Sequence, residues 1–426
     1  PNAFETAARR HGRRTALVHR GGEVTYEELQ RRVDVAAARL DDAGHGAGSP
    51  LLLLMENTVE SVVDFHAARQ CGLVVVVLSA SAGRLDVDDA GARTSRLDQW
   101  AGPAGPDAPA LVLFTSGTTS RPKGVVHSAN TLGTAAENFV AAAELAPDDR
   151  LFLVSPLASI TGILQALHMA PMLGAAVVLE DRFEPSSSLD LLLDAGGSFY
   201  GGPDVVLARL FTAARYRGLD RVGLRKVSLG GTMLDPALLR EAEEDFDIRV
   251  TRAYGSSEAP FSTATPIADT VDSRLGSDGV ALSGVEVRAG TSNDPAELAI
   301  RGPHVMLGYL DDDDNDDAFA DGWFCTGDIA EIHDGGRIRI VGRIKDVAIR
   351  NGVKIALPEV EMAVGALDGV DECVAYRVAD PETGEHVGVA VVASRPLGLA
   401  DITGAVRAAG VTKSKLPEEL VVWSGP

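Results

Sequence analysis

Basic residues are scarce in this sequence: 426 residues hold 39 lysines and arginines against 61 aspartates and glutamates, a formal net charge of −22. Nucleic-acid phosphates and anionic membranes repel so acidic a chain, which argues against either as the main partner. Any anion site must therefore be built locally. Cysteine is scarcer still. Cys71, Cys325 and Cys373 lie far apart, with neither metal-ligand nor disulfide-framework spacing, and read as ordinary thiols of a reducing compartment. Long apolar runs are missing as well, since the stretch around Leu73 to Leu78 is far short of a membrane span. No basic-plus-apolar leader opens the chain, so a soluble, cytoplasmic protein is expected. The common phosphate loop, Gly-x-x-x-x-Gly-Lys-Ser/Thr, does not occur. The acidic run Asp311 to Asp317 lacks the glycine and terminal glutamate of a calcium loop; a solvated surface loop capping a helix at Ala318 is expected instead.

The length suggests two or three domains with ample material for a core. Thr25-Tyr-Glu-Glu28 is a capping box, opening a helix with Leu29, Val33, Ala37 and Leu40 on one face. Strand-like runs at 151–155, 175–179, 198–201, 227–230 and 250–254 alternate with helical ones such as Pro236 to Asp245. That rhythm implies parallel sheets covered by helices. After residue 270 short strands gather around the turn Asp334-Gly-Gly336, suggesting a small antiparallel barrel or sheet. From Lys345 onward a compact α+β module follows, with helices near Leu357 and Ala400 and strands at 373–377 and 387–392. The expected fold is therefore α/β: a large domain over 1–344, of stacked helix-covered sheets plus a small barrel, and a smaller, mobile α+β domain over 345–426.

Three short segments carry chemistry. Phe114-Thr-Ser-Gly-Thr-Thr-Ser-Arg-Pro-Lys-Gly124 follows an apolar run and combines five hydroxyl residues, Gly117 and Lys123. Glycine lets N–H groups converge on an anion, hydroxyls add neutral donors and lysine brings a mobile charge, a combination suited to polyphosphate. Ala253-Tyr-Gly-Ser-Ser-Glu258 ends another strand-like run. It offers an aromatic face for a base, a hydroxyl for a phosphate and a carboxylate for magnesium. Trp323-Phe-Cys-Thr-Gly-Asp328 precedes Gly342-Arg343, and a carboxylate beside an arginine can hold the hydroxyls of a ribose.

In this order the three segments resemble the nucleotide motifs of the AMP-forming adenylating superfamily, which includes acyl-CoA synthetases, peptide-synthetase adenylation domains and beetle luciferases. The likeness spans nearly the whole chain and is closest to acyl-CoA ligases. It implies an ATP and Mg2+ site in which Thr115, Ser116, Gly117, Thr118, Thr119 and Lys123 cradle phosphates. Tyr254 and Gly255 would pack on adenine, Ser257 would touch the α-phosphate, Glu258 would hold the metal, and Asp328 with Arg343 would bind ribose. Lys123, Ser257 and Glu258 are the expected catalytic groups. Gly230-Gly-Thr-Met-Leu234 resembles the family turn beside adenine and the acyl pocket, bringing in Gly231 and Thr232. The pocket is expected from Ser159, Ile160, Thr161, Gly162, Tyr200, Gly201, Gly230 and Pro260, with Lys345 as hinge and Asn351-Gly352 lining a thiol tunnel. Asp204 is read as a helix N-cap.

The chain departs from the resembled pattern in places. The family's C-terminal catalytic lysine, in a Pro-x-x-x-x-Gly-Lys context, is expected beyond Trp423-Ser-Gly-Pro426. Segments near 79–108 and 290–295 are shorter than the likeness implies and are read as places where residues are missing. Ser159 stands where relatives carry a histidine or aromatic gate, and Ser120 where they carry glycine. The implied reaction joins a carboxylic acid to AMP with loss of pyrophosphate, then passes the acyl group to a thiol, that of CoA or of a carrier protein. Activation of another oxyanion such as nitrite, or nucleotide binding without turnover, are the competing readings. These residues leave the acid open.

Overall fold

The computed structural model describes residues 2–79, 84–100, 105–115, 122–230, 234–291, 294, 296–351 and 353–423. The chain divides into two compact units, one of residues 1–287, 300–324 and 333–338, the other of 288–299, 325–332 and 339–426.

Among the described residues of the first unit, a nine-stranded sheet has Arg249–Tyr254, Lys226–Leu229, Phe199–Gly202, Arg150–Leu153 and Ala176–Leu179 in parallel at its centre. A five-stranded sheet runs in the order Gly308–Tyr309, Gly124–Ser128, Pro109–Phe114, Val74–Ser79 and Pro50–Met55. Strand alternation sorts the side chains into layers, because successive residues face opposite sides. Leu151 and Leu153 join the core that also holds Val75, Val77 and Leu113. Phe152 between them joins a second core with Val227, Leu229 and Val250. The first core is filled by the helices Tyr26–Asp42, Val59–Gln70 and Ala129–Ala142, and the second is covered by Pro185–Asp194, Asp204–Tyr216 and Pro236–Glu244. Stacked, helix-covered sheets result, as the rhythm of the sequence predicts.

Local signals account for the helix starts. Thr25 caps its helix by accepting from the Glu28 N–H, and Leu29, Val33 and Ala37 are buried. Asp235 caps Pro236–Glu244, whose proline sits in the first turn where a missing N–H costs nothing. Asp204 is the first helical residue rather than the cap; Pro203, with φ −67°, occupies the cap position and leaves Asp204 to meet the helix dipole.

In the second unit Val353–Ala356, Val347–Arg350, Gly384–Ala393 and Val370–Asp380 form a sheet with Glu419–Trp423 beside Gly384–Ala393. Val387, Val389 and Val391 point inward at period two and meet Val360 and Val364 of helix Leu357–Gly365 and Ile402 and Val406 of helix Leu399–Ala408. In sequence, strands Trp323–His333 and Arg337–Arg343 flank the turn Asp334–Gly336, the change of texture expected after residue 270.

Candidate active site

The hydroxyl-rich loop springs from a closed base. Pro109–Phe114 and Gly124–Ser128 pair antiparallel with Phe114 opposite Gly124, and the Thr115 N–H donates to the Lys123 carbonyl at 2.9 Å. Ser116, Gly117, Thr118, Thr119 and Ser120 lie outside the described residues, as do Gly231 and Thr232 of the second glycine turn and Gly352. What the structure defines is therefore the loop's two ends, Thr115 and Lys123.

Tyr254 ends a central strand, and the turn behind it is tightly fixed. The Ser256 hydroxyl accepts from the N–H groups of Glu258 and Ala259, both at 3.2 Å. A Cβ on Gly255 would fall 2.3 Å from the Phe261 backbone nitrogen, and one on Gly230 would fall 2.2 Å from the Ala253 carbonyl oxygen. Both positions therefore require glycine. His127, three residues into the strand after Gly124, reaches this turn. Its Nε2–H donates to the Ser257 carbonyl at 2.7 Å while Nδ1 lies 3.0 Å from the Thr131 hydroxyl. Burial lowers its pKa to about 4, so the ring is neutral and holds this tautomer. His127 thus ties the two motifs together. The sequence hint was a histidine inside an apolar strand, and it was missed.

Tyr309 is the second joint. Its phenol donates to Glu258 Oε1 at 2.8 Å, and the Lys123 ammonium lies over its ring, 4.6 Å from the centroid. Burial, with the Glu258 charge adding, pushes the phenol pKa up, so it remains a donor. Lys123 also pairs with Asp314 at 3.4 Å. The acidic run is solvated at Asp312, Asp313, Asp316 and Asp317, as expected, and differs from that expectation at Asp311 and Asp314. Asp311 is 3% exposed and bonded to the buried Arg93, whose other nitrogen donates to the Pro122 carbonyl at 2.9 Å. No helix starts at Ala318, because a two-residue strand, Phe319–Ala320, follows it. The run steadies the arm that carries Lys123.

A cavity of about 170 Å³ opens beside Tyr254, between the strand ends and helical residues 160–164. Of the expected pocket residues, Ile160, Thr161, Gly230 and Pro260 line it. Ser159 does not, because its hydroxyl caps the helix, donating to the Pro156 carbonyl at 2.7 Å and accepting from the Gly162 N–H at 3.1 Å. Gly162 turns against the Pro156 carbonyl, and Tyr200 faces the other core with its phenol on the Pro203 carbonyl. Gly201 lies under the Gln165 carboxamide. Phe139 and Phe261, stacked at 3.6 Å, form an aromatic wall. Phe261 holds φ +55°, a strained backbone conformation for a bulky residue beside a functional cleft.

Within the second unit, Arg343 Nε donates to Asp328 Oδ1 at 3.0 Å. Asp328 is 5% exposed, and Thr326 orders its turn by accepting from the Asp328 N–H at 3.0 Å and donating to the Leu298 carbonyl at 2.7 Å. Fifteen residues apart in sequence, this pair forms as spacing and charge suggested. Lys345 lies in the short turn Ile344–Asp346. Asn351, at φ +49°, makes the hairpin between Val347–Arg350 and Val353–Ala356, the local role an Asn-Gly pair predicts.

A sequence model of a family described as AMP-binding enzyme matches residues 4–93 and 82–310. Feruloyl-CoA synthase of an Amycolatopsis species is 30% identical over 89% of this chain and 85% of its own length. Among solved structures, o-succinylbenzoate CoA synthetase from Bacillus subtilis in complex with its acyl-adenylate intermediate superposes with a TM-score of 0.88 at 23% identity, over 100% of this chain and 95% of that one. The same enzyme in complex with ATP and magnesium ion gives 0.86 at 23% identity, over 99% and 96%. At that identity the likeness speaks for the fold, which is the mixed α/β arrangement of a large and a small domain.

Proposed function

The chain belongs to the AMP-binding enzyme family, and we propose that it works as an acid–thiol ligase of the acyl-CoA synthetase type. A carboxylate oxygen of the acid attacks the α-phosphorus of ATP; the new P–O bond forms as the bond to the β-phosphate breaks and pyrophosphate leaves. A thiolate, that of CoA, then attacks the acyl carbon, forming the thioester and releasing AMP. The observation that carries this reading is the joint at Tyr309, which holds Glu258 and Lys123 on one side chain at the base of the hydroxyl-rich loop.

Lys123 neutralises charge on the departing phosphates, and Ser257 offers its hydroxyl to the α-phosphate. Tyr254 stacks on adenine, while Asp328 and Arg343 take the ribose. Lys345 serves as hinge between a nucleotide domain over 1–344 and the domain from 345, and Asn351 with Gly352 borders the thiol channel. Magnesium suits Glu258, because this ion is usually held by one or two carboxylates and the substrate's own phosphates rather than by a protein cage. Among the described residues no group of three or more histidine, cysteine or acidic side chains could hold a metal alone. When bound, the ion supplies positive charge against the leaving pyrophosphate. No helix among the described residues is long and apolar enough to cross a membrane, and Cys71, Cys325 and Cys373 form no disulfide with one another; a cytoplasmic setting is part of this proposal.

Pyrophosphate release across a panel of carboxylic acids and nitrite, with product masses recorded with and without CoA, tests the reading. A CoA thioester mass with matching pyrophosphate is expected. Release without thioester formation points to a carrier-protein or other acceptor, and no release with any acid removes the ligase assignment.

A further inference from the structure

The cavity beside Tyr254 has a mostly apolar wall, yet one side chain of its lining, Ser228, and one fully buried side chain outside the lining, Gln165, each hold a polar atom with nothing to bond. Ser228 is 4% exposed, lines the cavity, and its hydroxyl has no hydrogen-bond partner. Gln165 is fully buried; its amide nitrogen donates to the Gly201 carbonyl at 2.9 Å, while its Oε1 has no partner. Native interiors rarely leave such groups unsatisfied, and a satisfying partner is the first explanation to seek.

Register brings the two together. Ser228 sits directly beside Gly201 on the neighbouring parallel strand. Val227 and Leu229 face the second core, so Ser228 faces the opposite side, toward the cavity. A Cβ on Gly201 would meet the Gln165 carboxamide at 3.0–3.1 Å, so that carboxamide lies over Gly201 on one face of the sheet. Phe199, two residues earlier on the same strand, belongs to the first core, which identifies this face as the side of Ser228. Adjacent strands are about 4.8 Å apart, which makes the two orphan atoms neighbours on that face. Their chemistry is complementary: Oε1 only accepts, whereas the serine hydroxyl both donates and accepts. One hydroxyl group placed between them would donate to Gln165 and accept from Ser228, completing both.

We infer that the acid activated here is compact and carries a hydroxyl group remote from its carboxylate, seated between Ser228 and Gln165. This rests on the adenylating assignment above. The volume sets an upper bound that fits a compact acid, because the cavity of about 170 Å³, which Tyr254 and Ser257 of the nucleotide turn also line, compares with the roughly 150 Å³ that accommodates one benzene ring. Stacked Phe139 and Phe261 supply the flat apolar wall against which a single ring would lie. A purely apolar acid would fill the same volume but leave both polar atoms buried and unpaired, the situation in which a site rejects the deoxy analogue most strongly.

The test uses matched pairs: meta- and para-hydroxybenzoate against benzoate, and para-hydroxycyclohexanecarboxylate against cyclohexanecarboxylate. Each acid is titrated calorimetrically into the protein with AMP present, and each is assayed for ATP–pyrophosphate exchange. At least one hydroxylated member should bind about ten-fold or more tighter than its deoxy partner, with the same preference in exchange. Ser228→Ala should bring that ratio toward one, and Ser228→Thr, which restores the hydroxyl, should keep it. A general packing role would weaken both members equally and leave the ratio unchanged. The inference is overturned if deoxy and hydroxylated acids bind alike, if none of them binds, or if Ser228→Ala leaves the ratio intact. Preferential binding without exchange would uphold the hydroxyl seat between Ser228 and Gln165 while removing the ligase assignment, so the two fail separately.

Discussion

Replacing Tyr309 with phenylalanine removes one oxygen and keeps the ring, which isolates the bond to Glu258 from the contact with Lys123. That bond is 2.8 Å long, and Tyr309 is 6% exposed. A hydrogen bond to a charged group contributes about 1.5–3 kcal/mol. Glu258 is half-buried, so solvent should replace part of this, and about 1–2 kcal/mol should be lost. If Glu258 holds magnesium only when its carboxylate is oriented, the loss falls on the metal-dependent step as roughly a 5- to 30-fold drop in kcat/KM for ATP. Much of it should be recovered by raising magnesium, since a disordered ligand weakens metal affinity first. The assay is pyrophosphate release at fixed acid, with magnesium titrated for the wild type, Tyr309→Phe and Tyr309→Leu. Leucine additionally removes the ring beneath Lys123, whose ammonium sits 4.6 Å from its centroid, and should be several-fold worse than phenylalanine. A Tyr309→Phe enzyme with an unchanged magnesium profile would refute the reasoning that Tyr309 orients the metal carboxylate.

Two further outcomes concern stability. Burial holds His127, His168 and His304 at about 4 and His66 at about 3, against an unfolded value near 6.5. Their folded-state values are depressed, so the unfolded chain binds more protons between these limits. Stability should be flat above pH 6.5 and fall as pH drops toward 4, by about 3 kcal/mol for a histidine shifted that far. Urea midpoints measured from pH 8 to 4 would show this, and a midpoint constant across that window would contradict it. Gly255→Ala places a methyl carbon 2.3 Å from the Phe261 nitrogen and should cost about 2–3 kcal/mol or more, with loss of AMP binding. A variant as stable as the wild type that still binds AMP would show that the Tyr254–Phe261 turn is not held as described.

The nucleotide motifs were legible because their chemistry is contiguous: Thr115 to Lys123 and Tyr254 to Glu258 each bring their functional groups within a few residues. The residues that join them were not. Tyr309 lies 51 positions from Glu258, His127 lies 130 from Ser257, and Arg93 lies 218 from Asp311. Only tertiary packing makes them neighbours. Pocket residues were half legible for a related reason. Pattern placed the right strands, but which residue of a strand faces the cleft depends on register, and a step of one exchanges faces. Tyr200 was expected in the pocket and faces the core; Ser228, on the next strand, was passed over and faces the cavity.

The charge of the chain and the charge of its proposed ligand still have to be reconciled, since a protein at −22 repels a polyphosphate at long range. The arrangement at Lys123 shows how a local site answers this. Its ammonium is paired with Asp314 in a contact that is about one-third exposed on each side. A pair so wet is worth about 0–1 kcal/mol, so exchanging the carboxylate for phosphate oxygens costs little. Asp311, three residues earlier, is engaged differently: buried against Arg93, it fixes the arm from Pro122 rather than competing for the anion. One acidic run thus supplies both a rigid anchor and a weak, replaceable partner. The second keeps the lysine charge extended over Tyr309, next to Glu258, before any nucleotide arrives.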